Sequence, residues 1–315
     1  MGRMVDGVWR RDDHLTRNAG DGAFIRPETS FRDRIASGGR FAPEVGRYHL
    51  YVSLACPWAH RALIFRALKR LDPFIGVSVT HWLMGEDGWT FETGEGVIAD
   101  PLFGARFLHE IYARADPAYS GRVSVPVLWD RAQNTIVNNE SADIIRMFNS
   151  AFDGVGAAAG DFYPVALRGE IDALNERIYG TLNNGVYKAG FATTQAAYEA
   201  AIVPLFETLD FLESRLSDGR RFLYGDIITE ADWRLFTTLV RFDAVYVGHF
   251  KCNIRRLVDY PALSAYARRL YDVDGVAKTV DFGHIKRHYY MSHPTINPTR
   301  IVPLGPSNMF LPRRT

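Results

Sequence analysis

A cysteine followed by a proline, Cys56-Pro57, joins a β-rich run, "RYHLYVSLA", to an apolar-periodic one, "PWAHRALIFRALKRL". Proline suits the first position of a helix, so the thiol falls where a helix begins. There it meets backbone N–H groups without intrahelical partners and the positive end of the helix dipole. Such surroundings lower a thiol's pKa, and the thiolate is the nucleophile. Many free cysteines are instead small apolar core residues, but the strand-Cys-Pro-helix setting favours reactivity at Cys56. Three residues on stands Ala59 rather than a second cysteine. A monothiol cannot resolve its own mixed disulfide and must borrow a thiol from solution. In a reducing compartment that thiol is glutathione.

Two further stretches carry chemistry. In "NNESADII", Glu140 and Ser141 open a helix. Side chains and backbone N–H groups there can take a carboxylate and an ammonium together, as the γ-glutamyl end of glutathione offers, although a plain helix cap uses the same residues. In "SVPVLWD", Pro126 stands just before a strand.

The elements that must position these residues follow from periodicity. Strand, helix (Ala62, Phe65, then Leu68 or Leu71) and the strand "FIGVSVTHW" make a βαβ unit. A polar, Gly-rich and aromatic stretch from about 83 to 122, with partial helix in "ARFLHEIYARA", is too long for an ordinary connection and reads as a substrate-binding insertion. "VSVPVLWD" and "NTIVNNESADIIRMFN" then give strand, turn, strand, helix. The order βαβ–ββα matches a thioredoxin-like domain. In that fold the Val125-Pro126 position holds a cis-proline opposite the active cysteine and leaves the Val125 backbone free to pair with a bound peptide.

Residues 1–40 are expected to be an irregular arm, 41–150 the thioredoxin-like domain, and 151–315 an all-helical domain. The Gly-rich "AFDGVGAAAGDFYP" is the linker. Beyond it the apolar period is helical: Leu167, Ile171, Leu174 and Ile178, then Tyr198, Ile202, Leu205, Leu209, Leu212 and Leu216. Thr229 and Asp232 form a capping box, with Ile228 and Trp233 as its hydrophobic staple. The Pro-rich tail from His293 is expected to pack as an extended strip. Basic and acidic residues nearly balance, 37 against 36, leaving no field to hold a polyanion. No window approaches a membrane span, and two distant cysteines, Cys56 and Cys252, fit a reducing, cytoplasmic setting. Cys252 reads as structural. The nine histidines show no HExxH spacing, so no metal is expected.

"ACPWAHR", "GWTF", "GRVSVPVLWD", "NNES", "NNGVYKAGFATTQAAYE", "RFDAVYVGHFKCN" and "KRHYYMSHPTINPTRIVPLGP" together resemble the glutathionyl-hydroquinone reductases, the Xi class of glutathione transferases. The likeness runs over nearly the whole chain. It implies an α/β plus all-α fold: a thioredoxin-like domain with a long insertion, then an all-helical glutathione-transferase domain. It also implies Cys56 as nucleophile, with Trp89 and Arg122 holding glutathione from the insertion, the indole by packing and the guanidinium by a carboxylate fork. Val125 would pair with the peptide backbone, and Glu140 with Ser141 would grip the γ-glutamyl group. Tyr187, Tyr246 and one of Tyr289 or Tyr290 would turn their hydroxyls to the oxygens of a glutathione-bearing hydroquinone. The resemblance further implies a homodimer. Three other readings stand beside it: a generic thiol transferase or dehydroascorbate reductase, a conjugating transferase using Tyr or Ser, and a non-catalytic glutathione-binding module.

Overall fold

The computed structural model describes residues 2–11, 20–306 and 310. It opens with a hairpin, β1 (Arg3–Val5) and β2 (Val8–Arg10), within the arm expected to be irregular. Asp6 and Gly7 close it at φ 46° and 75°. Asp-Gly is the residue pair that a two-residue turn with both central φ positive demands. Strands of three residues are too short for an apolar period to announce.

The first unit contains residues 2–11, 27–160 and 278–288. It holds β3 (Tyr48–Val52), α1 (Pro57–Leu68), β4 (Ile75–Val79), α2 (Leu108–Ala115), β5 (Val127–Asp130), β6 (Thr135–Asn138) and α3 (Ser141–Ser150). The sheet order is β4-β3-β5-β6, with β3 and β4 parallel and the other neighbours antiparallel. β3 is buried along its whole length, as a central strand flanked on both edges must be. Helices α1 and α3 pack against each other. The outer edge of β6 is covered by the arm: Arg32 bridges Asn138, and Asn139 donates its N–H to the Phe31 carbonyl at 3.1 Å.

Asp100 fixes the insertion to the sheet. Its carboxylate accepts from the Tyr51 hydroxyl of β3 (2.9 Å) and from the N–H groups of Leu102, Phe103 and Ala105 (3.0–3.1 Å). The segment 278–288 adds a strap: His60 and Thr279 share a 2.7 Å hydrogen bond, His284 Nε2 meets the Glu95 carbonyl at 2.6 Å, and His288 Nδ1 the Trp82 carbonyl at 2.9 Å.

The second unit contains residues 20–26, 161–277, 289–306 and 310. Its helices are α4 (Arg168–Ile178), α5 (Gly185–Gly190), α6 (Gln195–Leu216), α7 (Glu230–Arg241) and α8 (Pro261–Tyr271); α9 (Phe282–Ser292) is divided between the units after His288. Wide π-helical turns extend α4 over Tyr179–Asn183 and α7 over Phe242–Tyr246, a feature frequent at functional sites. The Asp232 carboxylate accepts from the Thr229 N–H at 2.7 Å and also from Leu223 N–H and the Tyr266 hydroxyl, so the capping box sits inside a larger buried network.

Three assignments of chain to unit differ from the sequence reading. The division after Gly160 falls later than residue 150, and residues 20–26 and 278–288 each join the unit remote from their sequence neighbours. Among its described residues the tail turns at His293, whose carbonyl accepts from Ile296 and Asn297, leaves Ile301 and Leu304 exposed and buries Phe310 against Tyr271; the rest of the expected strip lies outside the described residues. Among the described residues no helix is long and apolar enough to cross a membrane.

Candidate functional site

Cys56 is the N-cap of α1, with extended backbone (φ −77°, ψ 121°), Pro57 at the first helical position and no cap bond from its own side chain. The helix therefore presents its N-terminal N–H groups at a half-buried sulfur. The Cys56 thiol donates to the Val125 carbonyl at 3.6 Å. The Val125-Pro126 bond is cis.

That loop is held from the insertion side. Tyr112 of α2, wholly buried, donates its hydroxyl to the Ser124 carbonyl at 2.8 Å and accepts from the Asn139 amide at 3.1 Å. Tyr119 acts likewise two residues earlier, donating to the Arg122 carbonyl at 2.8 Å. Burial pushes the Tyr112 phenol up to about 12, so it stays a neutral donor. Neither tyrosine was legible as part of the site, because each acts on a backbone carbonyl that only the folded insertion brings near.

Glu140 is the N-cap of α3; its carboxylate accepts from the Ala142 N–H at 3.1 Å and the Ser141 hydroxyl at 3.3 Å. Arg61, buried on α1 one turn after Cys56, donates to the Ser141 hydroxyl at 3.3 Å and lies 4.5 Å over the Trp58 ring. Helix α1 and the Glu-Ser pair are thereby joined by one side chain. Trp89, also buried, stacks on His288 with centroids 4.8 Å apart. Arg122 lies half-buried at the end of the insertion, and its backbone carbonyl is the one that Tyr119 holds.

Within the helical unit three of the tyrosines converge. The Tyr289 hydroxyl bonds to that of Tyr187 at 2.5 Å and to that of Tyr246 at 3.1 Å. Tyr290, on the adjoining face of α9, packs edge-on against His249 instead. Burial raises the phenols of Tyr246 and Tyr289 well above their ordinary range, with the Tyr187 phenol adding to it in both. Cys252 is fully buried in this unit, and burial raises its thiol far above the ordinary value.

The motif between α4 and α6 positions this cluster. The Asn183 amide donates to the Thr238 hydroxyl at 2.7 Å, Asn184 Oδ1 accepts from Arg26 Nε at 2.7 Å, and Gly190 lets the Phe250 ring lie against the backbone, where a Cβ would stand 2.2 Å from it.

The glutathione S-transferase N-terminal domain model matches residues 55–151 and the C-terminal domain model residues 195–269. The chain is 56% identical to glutathionyl-hydroquinone reductase PcpF of Sphingobium chlorophenolicum, covering 98% of this chain and 97% of that protein. Against glutathionyl-hydroquinone reductase YqjG of Escherichia coli it is 54% identical, covering 97% and 95%. The crystal structure of glutathione S-transferase Xi from Phanerochaete chrysosporium superposes with a TM-score of 0.91 at 52% identity, over 94% of this chain and 96% of that one. The chain belongs to the glutathionyl-hydroquinone reductases, the Xi class of the glutathione S-transferases.

Proposed function

We propose that this protein reduces glutathionyl-hydroquinones to hydroquinones with glutathione as co-substrate, Cys56 being the nucleophile. The observation that carries the reading is the Cys56 thiol at the mouth of α1, 3.6 Å from the Val125 carbonyl, with no second thiol at Ala59. The Cys56 thiolate attacks the sulfur of the conjugate's glutathionyl group. A Cys56–glutathione disulfide forms, the carbon–sulfur bond breaks, and its electron pair goes to the ring carbon, which takes a proton. A second glutathione, as thiolate, attacks the mixed disulfide, releases oxidised glutathione and returns the Cys56 thiolate.

In the same proposal Trp89, Arg122, the Val125 backbone and Glu140 with Ser141 bind glutathione, while the hydroxyl cluster of Tyr187, Tyr246 and Tyr289 stabilises charge as it develops on the quinol oxygens. The near-identical length and 54–56% identity to two glutathionyl-hydroquinone reductases support the substrate class. The glutathione-bound structure of YqjG from Escherichia coli supports the co-substrate: it matches at 54% identity and a TM-score of 0.88, over 99% of this chain and 98% of that one. We place the enzyme in the cytoplasm, where glutathione is abundant, as a homodimer.

The test is steady-state turnover on a panel of glutathionyl-hydroquinones beside a conjugation substrate and a generic mixed disulfide. Turnover confined to the ring thioethers is expected. Turnover of the mixed disulfide alone would assign a thiol transferase, and an absence of any covalent glutathione adduct by intact mass would leave only a binding module.

A further inference from the structure

Residues 20–26 of the N-terminal arm are tied down within the helical unit. Thr193 donates its N–H to the Gly22 carbonyl at 3.2 Å, the Thr194 hydroxyl donates to the Asp21 carbonyl at 2.9 Å, and Phe24 stacks on Phe191 at 5.4 Å. The end of this segment delivers Arg26. Its Nε donates to Asn184 Oδ1 at 2.7 Å, and its guanidinium carbon lies 4.7 Å from the centre of the Tyr187 ring.

A guanidinium over an aromatic face draws on the ring's electron density. Tyr187 is the phenol that leads the chain Tyr187–Tyr289–Tyr246. Tyr246 and Tyr289 are buried, whereas Tyr187 is half-buried. If Tyr246 donates to Tyr289 and Tyr289 to Tyr187, the Tyr187 proton is left to point outward, and each bond polarises the next. We propose that Arg26, resting on the proposed reductase function, is a positioning residue that polarises the Tyr187 hydroxyl as the outward donor to the quinol oxygen. Asn184 fixes the guanidinium by its Nε so that the plane stays on the ring, which gives residues 20–26 a part in the chemistry.

Other charged and titratable groups near Tyr187 have partners of their own. Tyr289 and Tyr246 are its phenol partners. The Lys188 ammonium is turned to the Gly180 carbonyl at 3.0 Å. Arg241, buried and donating to the Thr237 carbonyl at 2.8 Å, favours ionisation of Tyr246 and Tyr289. His249 and His293, hydrogen-bonded to each other at 3.0 Å, both pack on Phe250.

The test compares Arg26→Met, Arg26→Gln and Arg26→Lys in the full-length enzyme. Gln keeps a donor for Asn184 without charge, and Lys keeps the charge without the planar fork. Two readouts are taken: kcat and KM on a glutathionyl-hydroquinone, and the titration midpoint of Tyr187 by 13Cζ-tyrosine NMR, its resonance assigned by loss in Tyr187→Phe. Met and Gln are expected to lower kcat about tenfold with KM for glutathione unchanged, and to raise the Tyr187 midpoint by about one unit. Lys should recover most of both. A Tyr187 midpoint unmoved in Arg26→Gln overturns the proposal whatever the rate does, because Arg26 would then only anchor the arm. If the wild-type protein reduced no glutathionyl-hydroquinone, the functional reading would fail while the NMR titration still decided the effect of Arg26 on Tyr187.

Discussion

The thiol of Cys56 and the carbonyl of Val125 stand 3.6 Å apart, across from the cis bond that Val125 makes with Pro126. The sulfur caps α1 without a cap bond of its own, so a thiolate there faces the positive end of the helix. Cys56→Ser should keep the fold, because serine is among the best N-caps. Turnover should fall by more than about 10³-fold, with no glutathione adduct by intact mass and glutathione binding retained by calorimetry. A serine variant with near-normal rate would remove Cys56 from the mechanism.

Tyr112→Phe tests the support behind that loop. The substitution deletes one oxygen that serves the part-buried Ser124 carbonyl and the buried Asn139 amide. Leaving such partners unsatisfied costs about 1–3 kcal/mol of stability. Since Ser124 immediately precedes Val125, KM for glutathione should rise more than kcat falls. Urea denaturation and steady-state kinetics check the two effects separately.

Cys56 and the Glu140-Ser141 pair are visible in sequence because their chemistry is local: a cap position follows from the residues on either side of it. The hairpin turn at Asp6-Gly7 carries a signal of the same kind, but six strand residues gave it no pattern to frame. The supporting contacts are different in nature. Tyr112 reaches Asn139 across 27 residues, and Arg26 reaches Asn184 across 158, so neither partner can be inferred from its own neighbourhood. Tyr289 and Tyr290 are adjacent in sequence and about 100° apart around α9. Only packing shows that the first meets Tyr187 and the second meets His249.

Acid sensitivity should arise at His49. Burial pushes its imidazole down to about 4, with Asp100 opposing the shift. The Ser78 hydroxyl donates to the Ala99 carbonyl at 3.0 Å, so it can only accept from His49 Nε2, at 2.8 Å. That sets the neutral Nε2–H tautomer, with Nδ1 facing the Cα of Gly76. Above the unfolded value near 6.5, His49 is neutral in both states and its contribution is intact. As pH falls toward 4 the unfolded chain takes the proton first, and stability drops by up to about 3 kcal/mol. His49→Gln, which keeps a donor but cannot titrate, should flatten the stability profile between pH 6.5 and 4. An unchanged acid slope in that variant would place the sensitivity elsewhere.

Gly190→Ala should injure the helical unit through a single methyl group. A Cβ at this position would lie 2.2 Å from the Phe250 ring, and the ring is held in turn by Tyr187, Tyr246 and Tyr289, with centroids 5.4–5.7 Å away. Phe250 cannot retreat without displacing the phenols, so overpacking should cost about 1–3 kcal/mol. The reductase rate should fall with it, because the hydroxyl chain depends on those rings. Phe250→Leu clears the space taken by the new methyl. The double variant Gly190→Ala/Phe250→Leu should therefore be less destabilised than the sum of the two single changes, a coupling that thermal denaturation of all four proteins measures directly. Simple additivity would mean that the glycine is required by something other than the ring of Phe250.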